Sequence, residues 1–137
     1  MEIFSQAGAI PYRWAKCSLE VLLISTSSGK NMTIPKGLID PGFTVIETVL
    51  NEAYEEAGIK GCILTPAIGS YEFSKWGGLC NVEVFGMTVT HTFDNWPEDF
   101  MRYRVWSDYI QAARLVKHAN LGKLILKLPE HLGSCKR

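Results

Sequence analysis

Three carboxylates, Glu52, Glu55 and Glu56, stand at i, i+3 and i+4 in a segment that runs into Gly58. If that segment is a helix, at about 100° per residue, the three fall within an arc of roughly 100° on one face. Like charges at this spacing cost a few tenths of a kcal/mol per i,i+4 pair. They also stand in the last helical turn, where the dipole disfavours negative charge. A segment shaped only by helix stability would carry Lys there. Oxygen donors without a His or Cys suit Mg²⁺ or Mn²⁺ rather than zinc. Spacing alone leaves two readings level: a divalent-metal site and a solvated acidic face.

The preceding loop moves that balance. Pro35 and Pro41 fix two φ angles while Gly37 and Gly42 admit close backbone approach, so residues 35–42 have a defined shape. Such a loop at a helix start suits a phosphate met by main-chain groups. Thr44 with Glu47 three residues later is a capping box, and Gly58 stands where a C′ glycine belongs. On a helical wheel Val45, Ile46, Val49, Leu50, Ala53 and Ala57 share an arc of roughly 140°, the predicted buried face.

Other elements must position this helix. Residues 5–12 and 19–25 read as strands, the second apolar enough to be buried on both faces. A turn at 27–31 leads to a short strand at 32–34. Residues 63–74 and 81–92 alternate as strands, with Gly77 and Gly78 suggesting a hairpin between them. Residues 103–106 predict a further strand, and 107–116 a helix capped by Ser107. Residues 119–128 predict a last helix, with Leu121, Leu124, Ile125 and Leu128 as its core stripe. The expected fold is α/β (α+β): a mixed sheet covered by helices on both faces, in a single domain spanning 1–137.

Composition narrows the function classes. Fourteen basic side chains balance 14 acidic ones, so the excess positive charge on which an extended nucleic-acid binder depends is missing. The basic tail of Arg114, Lys117, Lys123, Lys127, Lys136 and Arg137 reads as a solvated helix face. Cys17, Cys62, Cys80 and Cys135 lack metal-ligand spacing and are expected as buried or partly buried thiols in a reducing compartment. No apolar run reaches the ~18 residues that cross a bilayer, and the N-terminal residues lack a secretory pattern. No membrane association is expected, and the cytoplasm is the default location.

The stretch from Gly37 to Ile59, GLIDPGFTVIETVLNEAYEEAGI, resembles the Nudix box: Gly, five residues, Glu, seven residues, then Arg-Glu-apolar-x-Glu-Glu-x-Gly-apolar. Gly37, Glu52, Ala53, Glu55, Glu56, Gly58 and Ile59 fall in register. Phe43 stands where the family has its first Glu, and Asn51 where it has Arg. Losing both together leaves no unpaired charge, and Phe43 is expected to pack on the core at the helix start. The flanks are similar to the branch that includes diphosphoinositol polyphosphate and diadenosine polyphosphate phosphohydrolases.

This resemblance implies the Nudix α/β/α sandwich and hydrolysis of a phosphoanhydride bond in a small anionic phosphorylated substrate. It implies Mg²⁺ (or Mn²⁺) held by Glu52, Glu55, Glu56 and the carbonyl of Gly37. Arg13, Lys36, Lys75, Arg102 and Arg104 are the candidate phosphate contacts, Lys36 the best placed. Glu83 and Glu98 are candidates for the base, each read more simply as a surface carboxylate. Trp76, Trp96 and Trp106 are expected to pack rather than stack on a base, and the three histidines receive no role. The alternative function is a catalytically impaired module that binds a nucleotide or polyphosphate without efficient turnover.

Overall fold

Two long strands, β1 (Ile3–Ala15) and β7 (Gly78–Thr92), run parallel through the centre of a sheet in a computed structural model that describes residues 1–134. Cys135, Lys136 and Arg137 of the sequence reading lie outside the described residues. β2 (Ser18–Ser25) pairs antiparallel with β1, β3 (Met32–Thr33) with β2, and β5 (Ile59–Ile63) with β7, giving the order β3-β2-β1-β7-β5. Three strands join off this path: β4 (Lys36–Leu38) on β1, β6 (Gly69–Lys75) on β7 and β8 (Arg104–Asp108) on β2.

Strand alternation buries the sheet on both faces. Val21 and Leu23, with Val82 and Val84, face one core; Leu22 and Ile24, with Phe85 and Met87, face the other. The first core is closed by α2 (Tyr109–Leu115), α3 (Ala119–Leu126) and α4 (Leu128–Ser134), through Ala112, Leu121, Leu124, Ile125 and Leu128. The second is closed by α1 (Val45–Ala57) through Val49, Ala53 and Ala57. The expected mixed sheet between helices is present.

Several local expectations change. The predicted strand 63–74 is two elements, β5 and β6, broken around a cis Thr65–Pro66 bond. The β6–β7 hairpin turns on Trp76 and Gly77 rather than on the glycine pair, because Lys75 already pairs with Gly78. Both turn residues have φ near +60° (55° and 70°), as a two-residue hairpin of matching twist requires. Asp108, not Ser107, caps α2, its carboxylate accepting from the Ile110 and Gln111 N–H groups. The last predicted helix is divided between α3 and α4. Leu50 is exposed rather than buried. Cys17 and Cys62 are also exposed, and only Cys80 of the described thiols is buried.

α1 begins and ends as its sequence requires. Thr44 and Glu47 make the reciprocal capping box. Gly58 takes the left-handed conformation (φ 64°, ψ 43°) and its N–H reaches the carbonyls of Ala53 and Tyr54. A Cβ on Gly58 would stand 2.7 Å from the Trp96 ring and from Arg104 Nη1, whereas one on Gly29 (φ +77°) would meet nothing within 4 Å. Gly29→Ala should therefore cost only left-handed strain, about 1 kcal/mol. Gly58→Ala adds a clash and should lower the melting temperature clearly further, as thermal unfolding of the two variants will show.

Candidate active site

β4 lies against β1 through Gly8–Lys36 and Ala7–Gly37 pairing, which carries the loop backbone to the last turns of α1. A Cβ at Gly37 would collide with the Glu52 carboxyl group, so any other residue there would force that carboxylate to swing aside. The Lys36 N–H donates to Glu56 Oε1 at 3.0 Å. Thus the loop glycine and the helical glutamates are one site, assembled by backbone proximity.

Glu52, Glu55 and Glu56 do not share one environment. Glu55 is exposed, Glu52 half-buried and Glu56 buried. Burial, followed by the charges of Glu56, Glu55 and Glu98, pushes the Glu52 carboxyl up to about 8. Burial also raises Glu56, against the opposing pull of Arg102 and the Lys36 N–H. The donors that Glu52, Glu55 and Glu56 offer are all oxygen, a set that fits a divalent hard cation. Among the described residues, no three acidic, imidazole or thiol groups already stand as a metal-ligand set. Glu56 instead turns to Lys36 and Arg102.

Arg102 is the principal cation of this cluster. It donates to Glu98 at 2.7 Å, to the Ser25 carbonyl at 2.8 Å and to Glu56 at 3.3 Å. The cation that Asn51 does not supply from the helix thus arrives from the segment before β8. Asn51 itself lines a separate groove with Leu50 and Tyr54, and Phe43, expected in the core, is 49% exposed. Phe43 therefore does not replace a packing residue at the helix start; it faces solvent. Glu98 belongs with the cluster rather than to the open surface, its N–H bonded to the Glu55 carbonyl. Glu83 lies elsewhere, in a shallow depression with Ala67, Gly69 and Ser70.

The five predicted phosphate contacts separate. Lys36, Lys75 and Arg102 line one cleft of about 300 Å³, together with Thr26–Ser28, Thr33, Phe73, Ser74, Lys117 and His118. Burial pushes the Lys36 ammonium down, opposed by Glu56, and its Nζ sits 5.4 Å from the Phe73 ring. Arg104 is not in the cleft. It donates to the carbonyls of Ala57, Gly58 and Phe93 at 2.6–3.2 Å and lies over Trp96, so it closes the C-terminal end of α1. Arg13 also points elsewhere, pairing with Glu20 at 2.8 Å over Trp106. Trp96 packs as expected and donates to the Glu56 carbonyl. Lys117, expected on a solvated face, and His118, expected without a role, join the cleft although no motif ties them to residues 26–36.

Comparison with known proteins bears on the family and the fold. The chain is 33% identical over 130 residues to Nudix hydrolase 16, mitochondrial, of Arabidopsis thaliana, covering 82% of this chain and 72% of that protein. The chain belongs to the Nudix hydrolase family. Nudix hydrolase 12, mitochondrial, of the same plant is 31% identical over 133 residues, covering 82% of this chain and 66% of that one. Among solved structures, the Nudix fold is matched by the C. elegans Ap4A hydrolase binary complex, with a TM-score of 0.84 at 23% identity over 95% of this chain and 98% of that one. The NUDIX domain of Shewanella oneidensis NrtR, complexed with ADP ribose, gives 0.76 at 15% identity over 96% and 90%. No family model matches the chain.

Arg102 and its two carboxylates are mostly buried, with side chains 11–28% exposed. Removing one partner of a buried pair leaves uncompensated charge and costs about 3 kcal/mol. Arg102→Met should therefore unfold at much lower denaturant than wild type, and adding Glu56→Gln to it should restore part of the loss. A double-mutant cycle by urea unfolding measures both.

Proposed function

We propose that this Nudix protein hydrolyses a phosphoanhydride bond in a nucleoside, dinucleoside or inositol polyphosphate, with Mg²⁺ or Mn²⁺ as cofactor. The observation that carries the reading is the junction of two opposite charge fields. Acidic Glu52, Glu55, Glu56 and Glu98 meet, across Lys36 and Arg102, a cleft whose lysines 36, 75 and 117 make no salt bridge among the described residues. A field of that sign draws in a polyanion.

Glu52, Glu55 and Glu56, with the Gly37 carbonyl, would hold the metal. When bound, it supplies Lewis-acid polarisation of phosphate oxygens and a water of lowered pKa. Lys36 and Lys75 would grip the phosphates as point charges while the cleft orients the chain of phosphoryl groups. Arg102 holds Glu56 and Glu98 against each other, fixing the carboxylates before substrate arrives. Glu98, beside the cluster and bonded to Arg102, is the better placed of the two candidates to accept a proton from the attacking water. Positioning and charge neutralisation account for most of the work in such phosphoryl chemistry.

A panel of nucleoside, dinucleoside and inositol pyrophosphates, assayed for phosphate or nucleotide release with Mg²⁺ or Mn²⁺, tests the reading. Wild type should turn over at least one class. Glu55→Gln and Glu56→Gln should each lose two or more orders of magnitude in kcat with the fold intact. Chelation should abolish turnover, and re-added metal should restore it. Saturable binding across the panel without turnover would replace the enzyme by a non-catalytic polyphosphate binder.

A further inference from the structure

β2 and β8 pair through Ile24 and Arg104, and one step further along Ser25 stands opposite Tyr103. An antiparallel pair of this kind exchanges two main-chain bonds, each N–H going to the other residue's carbonyl. Between Ser25 and Tyr103 that exchange is altered. The Ser25 N–H donates to the Tyr103 carbonyl at 2.9 Å, but the Tyr103 N–H donates to the Ser25 hydroxyl oxygen at 3.0 Å. The Ser25 carbonyl is released from the ladder and accepts from Arg102 Nη1 at 2.8 Å. A side-chain oxygen has taken the place of a carbonyl, and the carbonyl has gone to a guanidinium.

The substitution matters because of where Arg102 stands. Three of its nitrogens point to three different acceptors: Nε to Glu98, Nη2 to Glu56 and Nη1 to Ser25. A planar guanidinium held at three points has one orientation. Two of the acceptors are carboxylates, on α1 and on the segment between β7 and β8. The third is main chain: Ser25 is fully buried and ends β2, so its carbonyl ties Arg102 to the sheet. The Tyr103 ring is exposed, and its backbone, through both bonds to Ser25, fastens this end of the segment to β2. With alanine at 25 the Tyr103 N–H would lose its acceptor and compete with Arg102 for the carbonyl. The ladder bond would then close and displace the guanidinium. Strand pairing survives such a change; the aim of Arg102 does not.

We propose that Ser25 is a positioning residue of the candidate active site: its hydroxyl takes the Tyr103 N–H so that its carbonyl can fix Arg102 between Glu56 and Glu98. Ser25 acts through Arg102 and not on the substrate. Its effect on rate rests on the proposed hydrolase; its hold on Arg102 needs neither metal nor turnover.

Two measurements on the full chain test this. In nitrogen-resolved proton NMR the Nε–H signal of Arg102 is identified by its absence from Arg102→Lys. Wild type should give a narrow signal that exchanges slowly with solvent. Ser25→Ala should broaden it and speed its exchange about tenfold or more, as loss of one hydrogen bond to a charged group does. The urea midpoint of Ser25→Ala should stay near that of wild type, because a ladder bond replaces the one lost. In turnover assays its kcat should fall about tenfold to a hundredfold with KM little changed, since misplaced groups cost the transition state and not binding. Ser25→Cys, whose sulfur accepts weakly, should show the same losses in smaller measure. Ser25→Thr, which keeps the hydroxyl, should retain both the signal and the rate. A wild-type Arg102 signal in Ser25→Ala, or a wild-type kcat there, overturns the proposal. Loss of the signal in a protein that cuts no phosphoanhydride sustains the hold on Arg102 and removes the hydrolase instead.

Discussion

The structure turns on an electrostatic conflict at the C-terminal end of α1. Three glutamates crowd a helix end that already carries the negative pole of the dipole and no basic residue of its own. The conflict is relieved by two arginines that enter from the same short segment two residues apart. Arg102 takes the carboxylates of Glu56 and Glu98, and Arg104 takes the carbonyls of Ala57 and Gly58. One neutralises side-chain charge; the other satisfies the orphaned main chain. β8, which begins at Arg104, pairs with β2, so the sheet itself holds both cations against the helix.

The two departures from the Nudix box, Phe43 and Asn51, stand beside that arrangement. A helical Arg at position 51 would project from the face where Asn51 lines a groove with Leu50 and Tyr54. Arg102 reaches Glu56 from the segment before β8. The chain thus keeps a counter-charge on its buried glutamate while freeing the outer helix face. Phe43, before the helix, and Leu50, on it, remain exposed.

The cleft has a comparable logic. Lys36 is the hinge between the two charge fields: its backbone N–H serves Glu56 while its ammonium serves the cleft. Burial among Glu56, Lys75 and Arg102 leaves it pulled both ways. The three walls come from the β2–β3 turn, the end of β6 and the α2–α3 connection, which are separated by about 40 residues or more in sequence. No local motif could bring them together. Packing of α2 and α3 on the sheet does so.

Much of the fold and the heart of the site were legible in the sequence because they depend on local spacing. The i, i+3, i+4 glutamates, the Thr44–Glu47 capping box and Gly58 specify α1 and its ends through interactions within five residues. The alternating apolar runs specify strands buried on both faces. Gly37 was legible through the family register, and the structure adds the steric reason that Glu52 occupies the space a side chain would need. Tertiary structure alone decided the partners. Arg102 and Arg104 look equivalent in sequence, yet Arg102, before β8, reaches the carboxylates while Arg104, its first residue, reaches the helix end. Lys117 reads as one charge in a basic tail until Met32 fixes its backbone beside Thr33. Charge and period are properties of the chain; which charge meets which depends on strand register and helix packing, and these form only when distant segments are buried together.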